Sequence, residues 1–155
     1  MSTGYLYYCA SMLSKMAELT GRDSDKARYA QLAERTAEAF NRTYWNEQTG
    51  GYAANNQAAN SFALFLGIVD ETRIPRVVKN LEKHDYHLTT GNLCTKYLME
   101  MLTRYGHAET AYRIATQTTY PSWGYMLQNG ATTLWERWEY ATGDEMNSHN
   151  HPMMG

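Results

Sequence analysis

Apolar residues recur at three- and four-residue steps through six successive blocks of this chain, and glycine, proline or polar runs separate the blocks. That period belongs to helices with one apolar face, because strands alternate faces at every residue. The first block runs from about Gly4 to Leu19 and places Tyr5, Tyr8, Met12, Met16 and Leu19 on one stripe. Thr20-Gly21 ends it, since glycine takes a left-handed C-cap without strain. Asp23 or Ser24 can cap the second block, which reaches about Trp45 with Ala30, Ala33, Ala37, Phe40 and Tyr44 in phase. Small alanines on that face let a neighbouring helix approach closely. The run TYWNEQTGGY, Thr43 to Tyr52, then breaks the pattern and reads as a loop or short ribbon.

Four more helices are predicted, over about Gln57–Val69, Ile74–Lys83, Asn92–Tyr105 and Ala108–Thr118. Phe62, Phe65, Leu66 and Val69 line the third; Leu93, Tyr97, Leu98, Met101 and Leu102 face inward on the fifth. Pro75 suits the first turn of the fourth, where its missing N–H costs nothing. Short turns alternate with longer loops, so the six helices make three antiparallel hairpins and an all-α fold. No fixed period marks a solenoid repeat. At 155 residues there is room for one domain with a real core.

Lys and Arg number 14 against 16 Asp and Glu, so the basic excess of a nucleic-acid binder is absent. No stretch approaches the ~18 apolar residues of a membrane span. The start, MSTGYLYYCASML, lacks the charged n-region and cleavage site of a signal peptide, which leaves the compartment open. Cys9 and Cys94 lie apart within helical patterns and are expected to be buried free thiols. The aromatic balance is unusual: 13 Tyr and 4 Trp against 3 Phe. Rings with a polar edge suit places where an apolar body meets hydroxyl-rich ligands, sugars among them, and suit polar-edged cores equally.

After Thr118 the character changes, with all the late tryptophans, and little regular helix is expected there. Within it GATTLWERW, Gly130 to Trp138, sets one carboxylate, Glu136, between two indoles. Spacing alone leaves Glu136 open between a solvated surface charge and a carboxylate held for chemistry. An extended segment would point it away from Trp135 and Arg137. Desolvation beside tryptophan would make such a carboxylate a better general base, as an inverting glycosidase requires. His149 and His151 raise a zinc reading, but it would have to recruit Glu136 or Asp144 as further ligands, so no metal site is expected. Motifs for phosphate binding or serine nucleophiles are absent, no cofactor is expected, and the sequon at Asn41 falls on a helix.

YPSWGYM, GATTLWERW and NSHNHPMMG, in that order, resemble successive signature segments of bacterial α-L-rhamnosidases, glycoside hydrolase family 78. NNQAANSFALFLGI and HLTTGNLCTKYLMEML are similar to that family too, so the resemblance covers almost the whole chain. It implies an (α/α) toroid of six helical hairpins, of which these residues would be a C-terminal half with about three, truncated at both ends. It implies inverting hydrolysis of terminal α-L-rhamnosides, with a rhamnose-containing glycoside as ligand. Glu136 maps onto the family's general base, and His151, with Asn150 before it, onto a sugar contact; Trp123 and Trp138 would help wall the pocket.

The family's general acid and its closing helix match nothing in these residues, so the 155 alone are expected to be inactive. Hairpins parted from their neighbours would expose Phe62, Leu66, Tyr97 and Met101 and self-associate through those flanks. Two other readings stay open at this point. One is a helical carbohydrate-binding or scaffold module without chemistry; the other is a different toroid enzyme such as an epimerase, since fold does not choose reaction.

Overall fold

The computed structural model describes residues 1–140 and 147–154. Its helices are α1 (Ser2–Leu19), α2 (Asp23–Tyr44), α3 (Gln57–Leu66), α4 (Ile74–Leu81), α5 (Thr95–Arg104), α6 (Ala108–Ala115) and α7 (Trp123–Gln128). A two-residue ribbon, β1 (Trp45–Asn46) with β2 (Gly51–Tyr52), follows α2, and Trp45 pairs with Tyr52. A single 3-10 turn covers Pro152–Met154. In space α1 packs on α2, α3 on α4 and α5 on α6, while α3 also packs on α5 and α1 on α3. These are three helical hairpins side by side, the all-α arrangement of a partial hairpin toroid.

Local chemistry explains the boundaries. Asn56 caps α3 by accepting from the Ala59 N–H at 2.9 Å, and Gly67 closes it at φ 68°. Pro75 lies in the first turn of α4. Asp23 and Asp25 open α2, and Arg42 sits in its last turn, each sign favourable to the helix dipole. Several expected ends differ, with the fourth helix stopping at Leu81 rather than Lys83 and the sixth at Ala115 rather than Thr118. The third helix stops at Leu66 rather than Val69, because glycine at 67 turns the chain. The fifth begins at Thr95 rather than Asn92, and Leu93 is consequently exposed.

The core lies between α3, α4 and α5. Leu98, Met101 and Leu102 are fully buried, as are Val77 and Leu81; burial of such a side chain stabilises by roughly 1.5–3 kcal/mol. Phe62, Leu66 and Met101 are buried within the chain itself, and Tyr97 stacks on Phe65 at 4.2 Å. The expectation that these four lie exposed is therefore corrected, because α1, α3 and α5 cover one another's apolar faces. Burial, then the Tyr5 hydroxyl at 3.0 Å, pushes the Tyr97 phenol up and keeps it a neutral partner.

α1 also turns differently from its stripe. Its buried residues are the small Gly4, Ala10 and Ala17, which permit close approach; a methyl on Gly4 would overlap the Phe62 ring. Leu6, Leu13 and Met16 are about half exposed at 50%, 42% and 54%, with Cys9 exposed on the same face. Cys9 is thus not a buried thiol. Cys94 is buried, at the start of α5 rather than inside it.

Polar side chains fix the loops at the end of the hairpins where the long connections gather. Gln57, fully buried in the first turn of α3, donates to the carbonyls of Leu81 (3.2 Å) and His87 (3.1 Å). Its Oε1 accepts from the Thr89 N–H at 2.7 Å. Asn60 accepts from the Tyr52 N–H, and Asn80 donates to the Gly50 carbonyl at 2.8 Å, which holds the ribbon down. Asn41 is likewise a structural amide, accepting from the Tyr52 hydroxyl and donating to the Ile68 carbonyl.

Candidate active site

The late aromatic segment is built on the loop that Gln57 anchors. His87 Nε2 lies 2.8 Å from the Thr119 hydroxyl, tying that loop to the chain just before α7. Ser122 caps α7 by accepting from the Tyr125 N–H at 2.9 Å. This helix is a departure from the expected irregular tail, and Gly124 makes it possible: a Cβ there would collide with the Gln117 carbonyl oxygen. The helix brings Trp123 edge-on to Trp138, with ring centres 5.3 Å apart at 89°. Trp138 is buried and its indole N–H donates to the Thr90 carbonyl at 2.7 Å. Hydroxyls of Thr90 and Thr95 meet at 2.9 Å beneath it.

Residues 147–151 run back along 133–136. The Glu136 N–H donates to the Ser148 carbonyl and the His151 N–H to the Leu134 carbonyl, both at 2.8 Å. As one partner rises from 134 to 136 the other falls from 151 to 148, so the two segments are antiparallel. The Thr133 hydroxyl donates to the His149 carbonyl, adding a side-chain tie. The Ser148 N–H, in turn, donates to Glu136 Oε2 at 2.9 Å. Trp135 is buried against Tyr140 and His149, and the Tyr140 and His149 rings stack 4.8 Å apart.

Glu136 is half-buried and lines an open cavity of about 310 Å³ with Gly91, Asn92, Arg137, Trp138 and Glu139. Carboxylate and indole therefore share one concave surface. Trp123 touches the back of Trp138 and lines a separate apolar recess with Met126, Ala131 and Leu134. Asn150 is exposed and His151 half-buried on the returning segment, which the Leu134 bond holds two residues from Glu136. His151 Nδ1 accepts a long bond from the Met153 N–H at 3.4 Å. That contact engages Nδ1 and leaves Nε2 as the other ring nitrogen that can meet a hydroxyl.

Several contributors to this surface were not legible as functional residues. Gly91 and Asn92 reach the cavity from a loop distant in sequence, and their only signal is a polar, glycine-bearing run before a helix. Ser148 acts through its backbone, which composition never marks. Glu139 is a second carboxylate of the same cavity, 3.8 Å from the Arg137 guanidinium and 3.4 Å from the donating Tyr120 hydroxyl. Among the described residues no three His, Cys, Asp or Glu side chains group as metal ligands, and Asp144 lies outside the described residues. Burial pushes the Cys94 thiol up, so it is a neutral core group rather than a nucleophile. No described helix is long and apolar enough to cross a membrane.

Comparison with known proteins finds α-L-rhamnosidases. An alpha-L-rhamnosidase of Streptomyces avermitilis is 36% identical over 165 residues, spanning 100% of this chain and 16% of the relative. One of Formosa agariphila is 30% identical over the same span, covering 18% of that relative. The chain thus corresponds to roughly a sixth of the length of the curated relatives it matches. In three dimensions it superposes on an alpha-L-rhamnosidase from Dictyoglumus thermophilum with a TM-score of 0.89 and 44% identity, covering 97% of this chain and 18% of that one. The Streptomyces avermitilis alpha-L-rhamnosidase crystal structure complexed with L-rhamnose gives a TM-score of 0.88 at 34% identity, with 98% and 16% covered. The model of the bacterial alpha-L-rhamnosidase six-hairpin glycosidase domain matches residues 1–155 throughout. Three adjacent hairpins, a carboxylate set against an indole at their loop end, and a match along the whole length place this chain in the bacterial α-L-rhamnosidase six-hairpin glycosidase domain family.

Proposed function

We propose that these residues are the C-terminal half of the catalytic domain of a longer glycoside hydrolase, which removes terminal α-L-rhamnose with inversion at the anomeric carbon. Glu136 is the general base. The observation that carries this reading is its carboxylate, which lines a cavity beside Trp138 while its own backbone is pinned to the returning segment. The names of the relatives supply the substrate class, and one neighbour's crystal structure is complexed with L-rhamnose.

The chemistry follows from the groups present. Water attacks the anomeric carbon from the face opposite the leaving oxygen, and Glu136 takes the proton that this water gives up. The C–O bond to the leaving group breaks as a carboxylic acid, about 6.5–9.5 Å from the base, protonates that oxygen. That acid is supplied by chain outside these 155 residues, so the isolated piece has no turnover. Trp138 offers an apolar wall to the sugar ring, with Trp123 bracing it from behind. His151 and Asn150 donate to sugar hydroxyls from the returning segment.

In the intact parent, Glu136→Gln is expected to abolish hydrolysis of an aryl α-L-rhamnoside while leaving L-rhamnose affinity within about threefold. NMR of the wild-type reaction should show β-L-rhamnose as the first product, before mutarotation. Retained turnover by the glutamine variant, or α-L-rhamnose appearing first, would overturn the reading.

A further inference from the structure

The Glu136 carboxylate is held by a backbone group rather than by a side chain. Its Oε2 accepts from the Ser148 N–H at 2.9 Å, and the Ser148 carbonyl accepts from the Glu136 N–H at 2.8 Å. One residue therefore engages both ends of Glu136, main chain and side chain. A glutamate has three rotatable side-chain bonds, and on a half-buried surface its carboxylate would otherwise sample several orientations. The donor is tied on its C-terminal side. The His151 N–H bond to Leu134 and the Thr133 hydroxyl bond to His149 pin the segment C-terminal to Ser148. The Ser148 hydroxyl accepts from the Asn150 N–H at 3.2 Å and shapes the turn between them.

We propose that the Ser148 backbone N–H is the positioning group for Glu136: it fixes Oε2, so that Oε1 is the oxygen that receives the proton of the attacking water. The inference rests on Glu136 being the general base. It makes 147–151 a strap with two duties, presenting His151 and Asn150 to the sugar and setting the orientation of the base. Because the amide and not the hydroxyl does this, the identity of residue 148 matters only through its N–H.

The test uses the intact parent enzyme. Ser148→Pro removes the donor and is expected to lower kcat by about 10²-fold, the scale of a misplaced catalytic group, with KM and L-rhamnose affinity changed by less than about threefold. Azide needs no base. With an activated aryl rhamnoside it forms the C–N bond as the C–O bond to aryloxide breaks, giving rhamnosyl azide, and should restore turnover of Glu136→Gly, where no carboxylate fills the nucleophile's face or repels the anion. Ser148→Ala, which brings the N–H back, should recover hydrolysis. Should the proline variant not fold, an ester in place of the amide at position 148 deletes the same donor without a ring.

Undiminished kcat in the donor-deleted enzyme, a KM that rises in step with the loss of kcat, or an alanine variant as impaired as the proline one would each overturn the proposal. Glu136→Gly separates this from failure of the base assignment. If that variant still turns over, or azide fails to rescue it, the base reading falls. If it behaves as a base deletion while Ser148→Pro keeps its rate, only the positioning role falls.

Discussion

The Trp138 indole N–H donates to the Thr90 carbonyl at 2.7 Å, joining positions 48 apart in sequence. Thr90 belongs to the loop that Gln57 anchors to the start of α3, so the indole beside Glu136 is positioned by a helix that begins 81 residues earlier. The wall of the cavity is therefore only as fixed as this polar chain of contacts.

Replacing the indole with Phe keeps an aromatic body and deletes the donor. Trp138→Phe leaves a buried carbonyl unpaired, and chemical denaturation should show a loss of about 1–3 kcal/mol. In the intact parent the same change should lower kcat/KM. A loss below about 0.5 kcal/mol, within the range of ordinary surface changes, would mean that the bond contributes nothing.

Gln57→Leu tests the next link. It removes bonds to Leu81, His87 and Thr89 at a site with no access to water. Several orphaned backbone groups should cost about 2–5 kcal/mol in total. Hydrogen exchange at the Thr89 amide should rise ahead of exchange in α5, and uniform exchange across both would argue against a local anchor.

Self-association of the isolated chain should run through α1. Leu6, Leu13 and Met16 are half exposed on one face, whereas Phe62, Leu66 and Met101 are interior. Changing the α1 three to Gln should lower the apparent mass in light scattering and leave the melting temperature within about 3 °C. Substituting Phe62 should instead unfold the chain. Association indifferent to the α1 changes would place the contact elsewhere.

Thiol chemistry should distinguish the two cysteines. Cys9 is exposed and Cys94 buried, so native protein at neutral pH should take one iodoacetamide adduct and unfolded protein two. Burial raises the folded-state value of the Cys94 thiol, so its contribution to stability is complete below the unfolded value. It is lost as pH rises from about 8.5, where an unfolded thiol begins to ionise, through the higher folded value. Cys94→Ala should flatten the decline in stability over that alkaline window. Two rapid adducts on native protein would contradict the burial.

The helices were legible because their causes are local. An apolar period near 3.6, a glycine at 67 and a proline at 75 act within one or two turns, and six of the seven described α-helices fall where those signals put them. The short α7 was missed, since its six residues carry too little periodicity, and its docking depends on Gly124 meeting the Gln117 backbone. The facing of α1 was missed for a related reason. Its larger apolar residues outvote Gly4, Ala10 and Ala17 in any hydrophobic pattern, yet close packing against α2 and α3 selects the small ones.

The order of motifs singled out Glu136, with Trp123, Trp138, Asn150 and His151 around it, but spacing could not say which of them meet. By itself the sequence determined an all-α chain of paired helices and the one acid worth following, because periodicity, caps and motif order are written in neighbouring residues. Only the tertiary structure decided that Trp138 hangs from Thr90, that Gly91 and Asn92 share the cavity, and that the Ser148 amide grips the carboxylate. Those are close approaches between separate segments and hydrogen bonds that each have a backbone group as one partner. Every residue carries the same N–H and C=O, so the pattern of side chains cannot announce them.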